Sequence, residues 1–168
     1  MPPDPRFHGT MIDAHLLDDI GDERADQRAA RDKMIELPSN QYAIMLPHSV
    51  KAEIDHPNTP SETKNRASAF VYSFDTAIVA PSLLAQAKAI MRGNAVSQKH
   101  DQDAEHCCDA AAWGSFFVTL DKRTLKKRDE IRRLLPGLWI MTPAEWVENL
   151  EHHERKSPLE TDDIARLD

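Results

Sequence analysis

Four carboxylates stand where a metal-assisted hydrolysis could be built: Asp13, Glu53, Asp103 and Asp121. Asp13 ends the apolar run Thr10-Met11-Ile12, and Asp121 lies just past Phe116-Phe117-Val118-Thr119-Leu120. Glu53 falls one turn into a predicted helix after Leu46-Pro47, with Val50 and Ile54 as its buried side. Asp103 opens a predicted helix whose Ala104, Cys107, Cys108 and Ala111 make a narrow seam of small residues. An anion in that first turn is favoured by the helix dipole. Four carboxylates meeting without a basic partner repel one another and resist desolvation. A hard divalent cation, Mg²⁺ or Mn²⁺, held through oxygens and waters, relieves that repulsion. Such an ion can activate water against a phosphodiester. Singly, each acid has a plainer role. An aspartate after a strand is commonly a turn or helix cap, and a lone Glu53 or Asp103 is commonly a solvated helix residue. The combination is what points to chemistry.

The elements that must position these acids alternate. Short, near-continuous apolar runs lie at Gly9 to Ile12, Tyr42 to Leu46, Ala77 to Ala80, Ser115 to Thr119 and Leu138 to Met141. Runs of this kind suit strands covered on both faces. Helical stretches fall between them: Gly21 to Leu37, Ser49 to Asp55, Ser61 to Phe74, Pro81 to Arg92, Asp101 to Trp113, Lys122 to Leu135 and Thr142 to Glu151. The last opens with Thr142-Pro143-Ala144-Glu145, a cap, a first-turn proline and a capping-box glutamate. Alternation on this scale predicts crossover units and an α/β fold, a three-layer α/β/α sandwich around a central parallel five-stranded sheet. In such a sheet ligands bind beyond the carboxyl ends of the strands, so Asp13 and Asp121 are expected at one edge. Residues 1–150 are read as one domain and 151–168 as a polar C-terminal tail.

Several segments resemble PIN-domain nucleases. Leu46-Pro47-His48-Ser49-Val50-Lys51-Ala52-Glu53-Ile54 is similar to their P-x-x-V-x-x-E-h segment. The stretch from Asp103-Ala104 through Ala110, Ala111, Ala112 and Gly114 to Phe117-Val118-Thr119-Leu120-Asp121 resembles their D-A…A-x-x-x-G-x-x-x-V-T-x-D block. Thr142-Pro143-Ala144-Glu145-Trp146 resembles the family's usual ending, and the likeness spans roughly Thr10 to Leu150. It implies a PIN-like fold and Mg²⁺- or Mn²⁺-dependent endonucleolytic cleavage of single-stranded RNA, leaving 5′-phosphate and 3′-hydroxyl ends. It also implies Asp13, Glu53, Asp103 and Asp121 as the metal-holding and catalytic quartet, with Thr119 as the hydroxyl that supports the fourth acid. Many relatives are toxins of the VapC type, inhibited by an antitoxin and assembled as homodimers. The chain departs from the family pattern after Asp13, where Ala14-His15 replaces the common Thr-Asn or Ser-Asn. That change either lowers activity or gives His15 a supporting contact. It also opens an alternative, a catalytically weak or inactive PIN-like RNA-binding or scaffold module. Asp101 competes with Asp103, but the spacing to Asp121 and the alanine that follows favour Asp103.

The formal net charge of −7 argues against holding nucleic acid by bulk electrostatics. It leaves room for an acidic metal site with basic residues confined to one flank. Lys122, Arg123, Lys126 and Lys127 begin the densest basic stretch immediately after Asp121 and are the expected RNA-binding flank; the plainer alternative is a solvated helix face. Arg24, Arg28, Arg31 and Lys33 alternate with acids and read as plain surface. Trp113, Trp139 and Trp146 lie in apolar segments and read as core or rim. His100, Asp101, Asp103, His106, Cys107 and Cys108 crowd one run with no second cluster, which disfavours a closed zinc site. The five glycines are all isolated, which counts against a phosphate loop and hence against an unrelated doubly wound small-molecule enzyme. No apolar run approaches the ~20 residues of a membrane span, and Met1 to Thr10 lacks the features of a secretion signal. With two adjacent cysteines and no disulfide framework, the expectation is a cytoplasmic protein with no membrane partner.

Overall fold

A computed structural model describes residues 1–74, 79–95 and 97–158. In chain order the elements are β1 (Thr10–Ile12), α1 (Ala25–Glu36), β2 (Ile44–Leu46), α2 (Lys51–Asp55), α3 (Ser61–Ala67), β3 (Val71–Tyr72), α4 (Pro81–Arg92), α5 (Asp101–Trp113), β4 (Phe116–Val118), α6 (Lys122–Leu134), β5 (Trp139–Met141) and α7 (Pro143–Lys156). The strands form one parallel sheet in the order β3-β2-β1-β4-β5. Successive strands step outward from β1 to β3, and the chain then returns to place β4 on the other side of β1. The order therefore reverses between β1 and β4, which opens a crevice beyond their carboxyl ends.

Side chains alternate across this sheet and bury on both faces. Ile12, Ile44, Leu46, Phe116, Val118 and Met141 pack with Met34 of α1, Ile54 of α2, Ala67 of α3 and Trp146 and Leu150 of α7. Met11, Phe117 and Ile140 point the other way, onto Ala87 and Met91 of α4, the small seam Ala104, Cys107, Cys108 and Ala110 of α5, and Ile131 of α6. The architecture is the expected three-layer α/β/α sandwich. The small residues of α5 bring it close to the sheet, and both cysteines are buried there as free thiols. Gly114 and Gly9 back onto one another: a β-carbon on Gly114 would collide with the Gly9 carbonyl, which accepts the Ser115 N–H at 2.8 Å. Glycine at both positions lets β1 and β4 begin side by side.

Three expectations are corrected. The third strand is Val71–Tyr72, within the segment expected to be helical through Phe74, because α3 stops at Ala67 and the chain pairs with β2. Of the strand expected at Ala77 to Ala80, Val79 and Ala80 are not in the sheet, and 77–78 lie outside the described residues. Helix α7 runs through Lys156, beyond the expected end at Glu151, because the N-terminal segment packs along it. Asn149 donates to the Pro3 carbonyl at 2.9 Å, and Arg6 reaches the carbonyls of His153 and Ser157. Residues 159–168 of the expected tail lie outside the described residues. No helix among the described residues is long and apolar enough to cross a membrane.

Candidate functional site

The register of β1 against β4 builds the site. Ile12 lies opposite Val118, so the next residues, Asp13 and Thr119, leave the sheet together at its carboxyl edge. The Asp13 N–H donates to the Val118 carbonyl at 2.9 Å. The Asp13 side chain is buried and accepts the Thr119 hydroxyl at 2.7 Å. Thr119 in turn accepts the Asp121 N–H at 3.0 Å. Thr119 thus couples the two strand ends, but its hydroxyl supports the carboxylate of Asp13, whereas the resemblance implied support for Asp121.

Asp121 is the N-cap of α6, its Oδ2 accepting both the N–H and the hydroxyl of Thr124 at 2.8 Å. The plain reading of this residue as a helix cap is therefore true of one oxygen; Oδ1 has no hydrogen bond among the described residues. Asp103 sits in the first turn of α5, with its side chain 27% exposed. Burial, then the charges of Asp121 and Asp13, push its carboxyl up to about 6. His15 and Arg123 pull the other way and are outweighed. His100 lies 3.8 Å from Asp103 but is held below the ordinary histidine value by burial, Arg123 and Lys99, so it does not neutralise the carboxylate at pH 7. The competitor Asp101 forms a two-point ion pair with Arg92 at 2.7 and 2.5 Å.

Glu53 is exposed on α2, and its charge acts together with that of Asp13 on His15 and His106. Burial depresses the proton affinity of His15, but Asp13, Glu53 and Asp18 outweigh it and leave the imidazole above its ordinary value. The backbone N–H of His15 reaches Asp13 Oδ1 at 3.4 Å, a weak contact, and its ring faces solvent beside Asp18 at 3.6 Å. His106, which the sequence offered only as part of a run disfavoured as a zinc site, is buried against Phe117. Its Nδ1 has no partner among the described residues, and burial holds it neutral despite Asp13, Glu105 and Glu53. Its helical position, three residues after Asp103, is the signal that could have set it on the site's side of the helix.

Asp13, Asp103 and Asp121 therefore share one electrostatic neighbourhood, and Glu53 acts with Asp13 on the two histidines beside it. Among the described residues no three His, Cys, Asp or Glu side chains stand close enough to hold a metal ion between them. The donor chemistry nonetheless suits a hard cation: Asp13 and Asp121 are each oriented in advance by a threonine, and burial and then the neighbouring acids push the Asp103 carboxyl up to about 6. Mg²⁺ commonly keeps several waters and binds through one or two carboxylates plus substrate phosphate, without a closed protein cage.

The expected basic flank divides. The Arg123 guanidinium caps α4 by donating to the carbonyls of Met91 and Arg92 at 3.0 and 3.3 Å, so it is structural. Lys127 pairs with Glu130 at 3.3 Å, while Lys122 and Lys126 are exposed. Arg31, read as surface, is buried and donates to the carbonyls of Leu16 and Asp18. No family model, curated protein or solved structure matches the chain.

Proposed function

We propose that this protein is a metal-dependent endoribonuclease of the PIN type, cleaving phosphodiesters of single-stranded RNA with Mg²⁺ or Mn²⁺. One observation carries the reading: Asp13, Asp103 and Asp121, remote in sequence, stand near enough at the β1/β4 crevice for burial and the charges of Asp121 and Asp13 to push the Asp103 carboxyl up to about 6 against the pull of His15 and Arg123. A bound divalent ion would supply an activated water and a Lewis acid for the charge that develops on the phosphate. Asp13, oriented by Thr119, and Asp121, oriented by Thr124, are the residues that would hold it, with Asp103 completing the set when ionised. Glu53 and His15 line the approach from α2 and the turn after β1. The exposed Lys122 and Lys126 are the flank residues left to meet an RNA backbone. In the same reading the protein acts in the cytoplasm, as its two buried free thiols suit, with an inhibitory antitoxin and a second copy of itself as partners.

The test is cleavage of a single-stranded RNA by the purified chain. We expect Mn²⁺-dependent cleavage that falls at least ~100-fold in Asp13→Asn, Asp103→Asn and Asp121→Asn, the upper end of what loss of a supporting residue costs a metal site. Retention of cleavage in Asp103→Asn would overturn the assignment. A second reading, a non-catalytic PIN-like RNA-binding module, is favoured by the spread of the carboxylates and by Ala14-His15 after Asp13. It requires RNA binding with no cleavage in either metal.

A further inference from the structure

Beside the acid cluster lies a cavity of about 260 Å³, walled by Asp19, Ile20, Gly21, Glu23 and Arg24 on one side and by Leu120 and Asp121 on the other. Asp121 and His15 belong to both the cavity and the candidate site. Ile20 and Leu120 give it two apolar walls, and Arg24 gives it a permanent positive charge. The volume is just under the ~300–1,000 Å³ of clefts that enclose a whole drug-sized ligand, so it suits a single nucleotide unit at most.

Arg24 is unusual among its neighbours. Arg28 binds Asp22 and the Ile20 carbonyl, Arg31 binds two carbonyls and Asp32, and Lys33 binds Glu151. Arg24 is half-buried, and its guanidinium makes no hydrogen bond or ion pair among the described residues, only its backbone N–H donating to the Gly21 carbonyl at 3.0 Å. A guanidinium offers five donors in a planar fork suited to phosphate. The carboxylates around it are mostly occupied. Asp19 lies 3.3 Å from Arg66, and Asp121 caps α6. Glu23 folds directly over Gly21, where a β-carbon would collide with it.

We propose that this cavity is a ribonucleotide subsite in which Arg24 holds an RNA backbone phosphate while Ile20 and Leu120 contact the attached base. The proposal rests on the nuclease reading for its substrate class, but the phosphate contact does not depend on hydrolysis. With Glu23 and Asp121 nearby, RNA enters this subsite more readily when a divalent cation is present.

The experiment measures anisotropy of a labelled short single-stranded RNA on the full chain in calcium-containing buffer, with cleavage in Mn²⁺ followed in parallel. Arg24→Ala is expected to weaken binding about 10-fold, as loss of a charged hydrogen bond does. It should also lower the slope of log K against log salt by about one and raise KM with kcat unchanged. Arg24→Lys should recover part of the affinity, and Glu23→Gln should tighten binding. Thermal melting reports whether each variant folds. Wild-type affinity in a folded Arg24→Ala would overturn the subsite, and so would a wild-type chain that does not bind RNA. If cleavage vanishes in Asp103→Asn while Arg24→Ala leaves binding and KM unchanged, the subsite falls and the nuclease reading stands. If the wild type binds RNA through Arg24 but cleaves none, hydrolysis falls and the subsite stands.

Discussion

Two regions of the molecule treat charge differently: helix α7 with the N-terminal segment, and the β1/β4 crevice. Around α7 most polar groups are answered, the buried His152 Nε2 being an exception among the described residues. Trp146, fully buried, donates its indole N–H to Thr10 Oγ1 at 3.0 Å. Thr142 and Glu145 close a reciprocal capping box, and Arg6 meets Asp4 at 2.7 Å with its side chain only 5% exposed. In the crevice the charges of Asp121 and Asp13 act on Asp103 more strongly than those of His15 and Arg123, and His106 Nδ1 has no partner among the described residues. On the proposed reading, these acids are the place where stability is traded for a cation or substrate.

That contrast can be broken or sharpened by substitution. Trp146→Ala removes the anchor of the paired end and is expected to cost ~3–5 kcal/mol in urea unfolding; a smaller loss would mean that α7 can collapse into the space. Saturating Mn²⁺ is expected to raise stability of the wild type by about 3 kcal/mol at a hundred times its Kd, read as a shift in Tm that Asp103→Asn loses. No shift in the wild type would remove the argument for a cation. Asp103→Asn is expected to stabilise the metal-free protein at pH 7 by on the order of 1–2 kcal/mol, allowing for solvent screening of a partly exposed group. The sign follows from its raised carboxyl. With a folded value of about 6 against an ordinary value of 3.8, the folded state holds its proton over that interval. Stability is then fullest below pH ~4 and is lost as pH rises through 6. Asp109, also pushed up to about 6 by burial and Glu105, adds a fall of the same sign. Asp103→Asn should flatten only part of the profile and Asp109→Asn the rest. The smallest effect is expected from Asp101→Asn, which breaks a partly exposed pair with Arg92 and should shift Tm less than any of the other substitutions.

Much of this was legible in the linear sequence because it depends on local patterning. The near-continuous apolar runs marked four of the five strands, and Thr142-Pro143-Ala144-Glu145 marked the start of α7. β3 was missed since two exposed or half-exposed residues, Val71 and Tyr72, carry no apolar run of their own; pairing with β2 alone makes them a strand. Asp13 and Asp121 could be put at one edge once both runs were read as parallel strands, while the preference for Asp103 over Asp101 rested on spacing.

The sequence by itself determined the layered α/β architecture, the strand ends that carry Asp13 and Asp121, and the small-residue seam that seats α5, because periodicity and capping are encoded within a few neighbouring residues. Only the tertiary structure decided that Arg92 claims Asp101, that Arg123 caps a distant helix, that Thr119 serves Asp13, and that the Arg24 guanidinium finds no partner among the described residues. Those outcomes depend on which long side chains reach which groups across elements, and long-range geometry of that kind is set by packing.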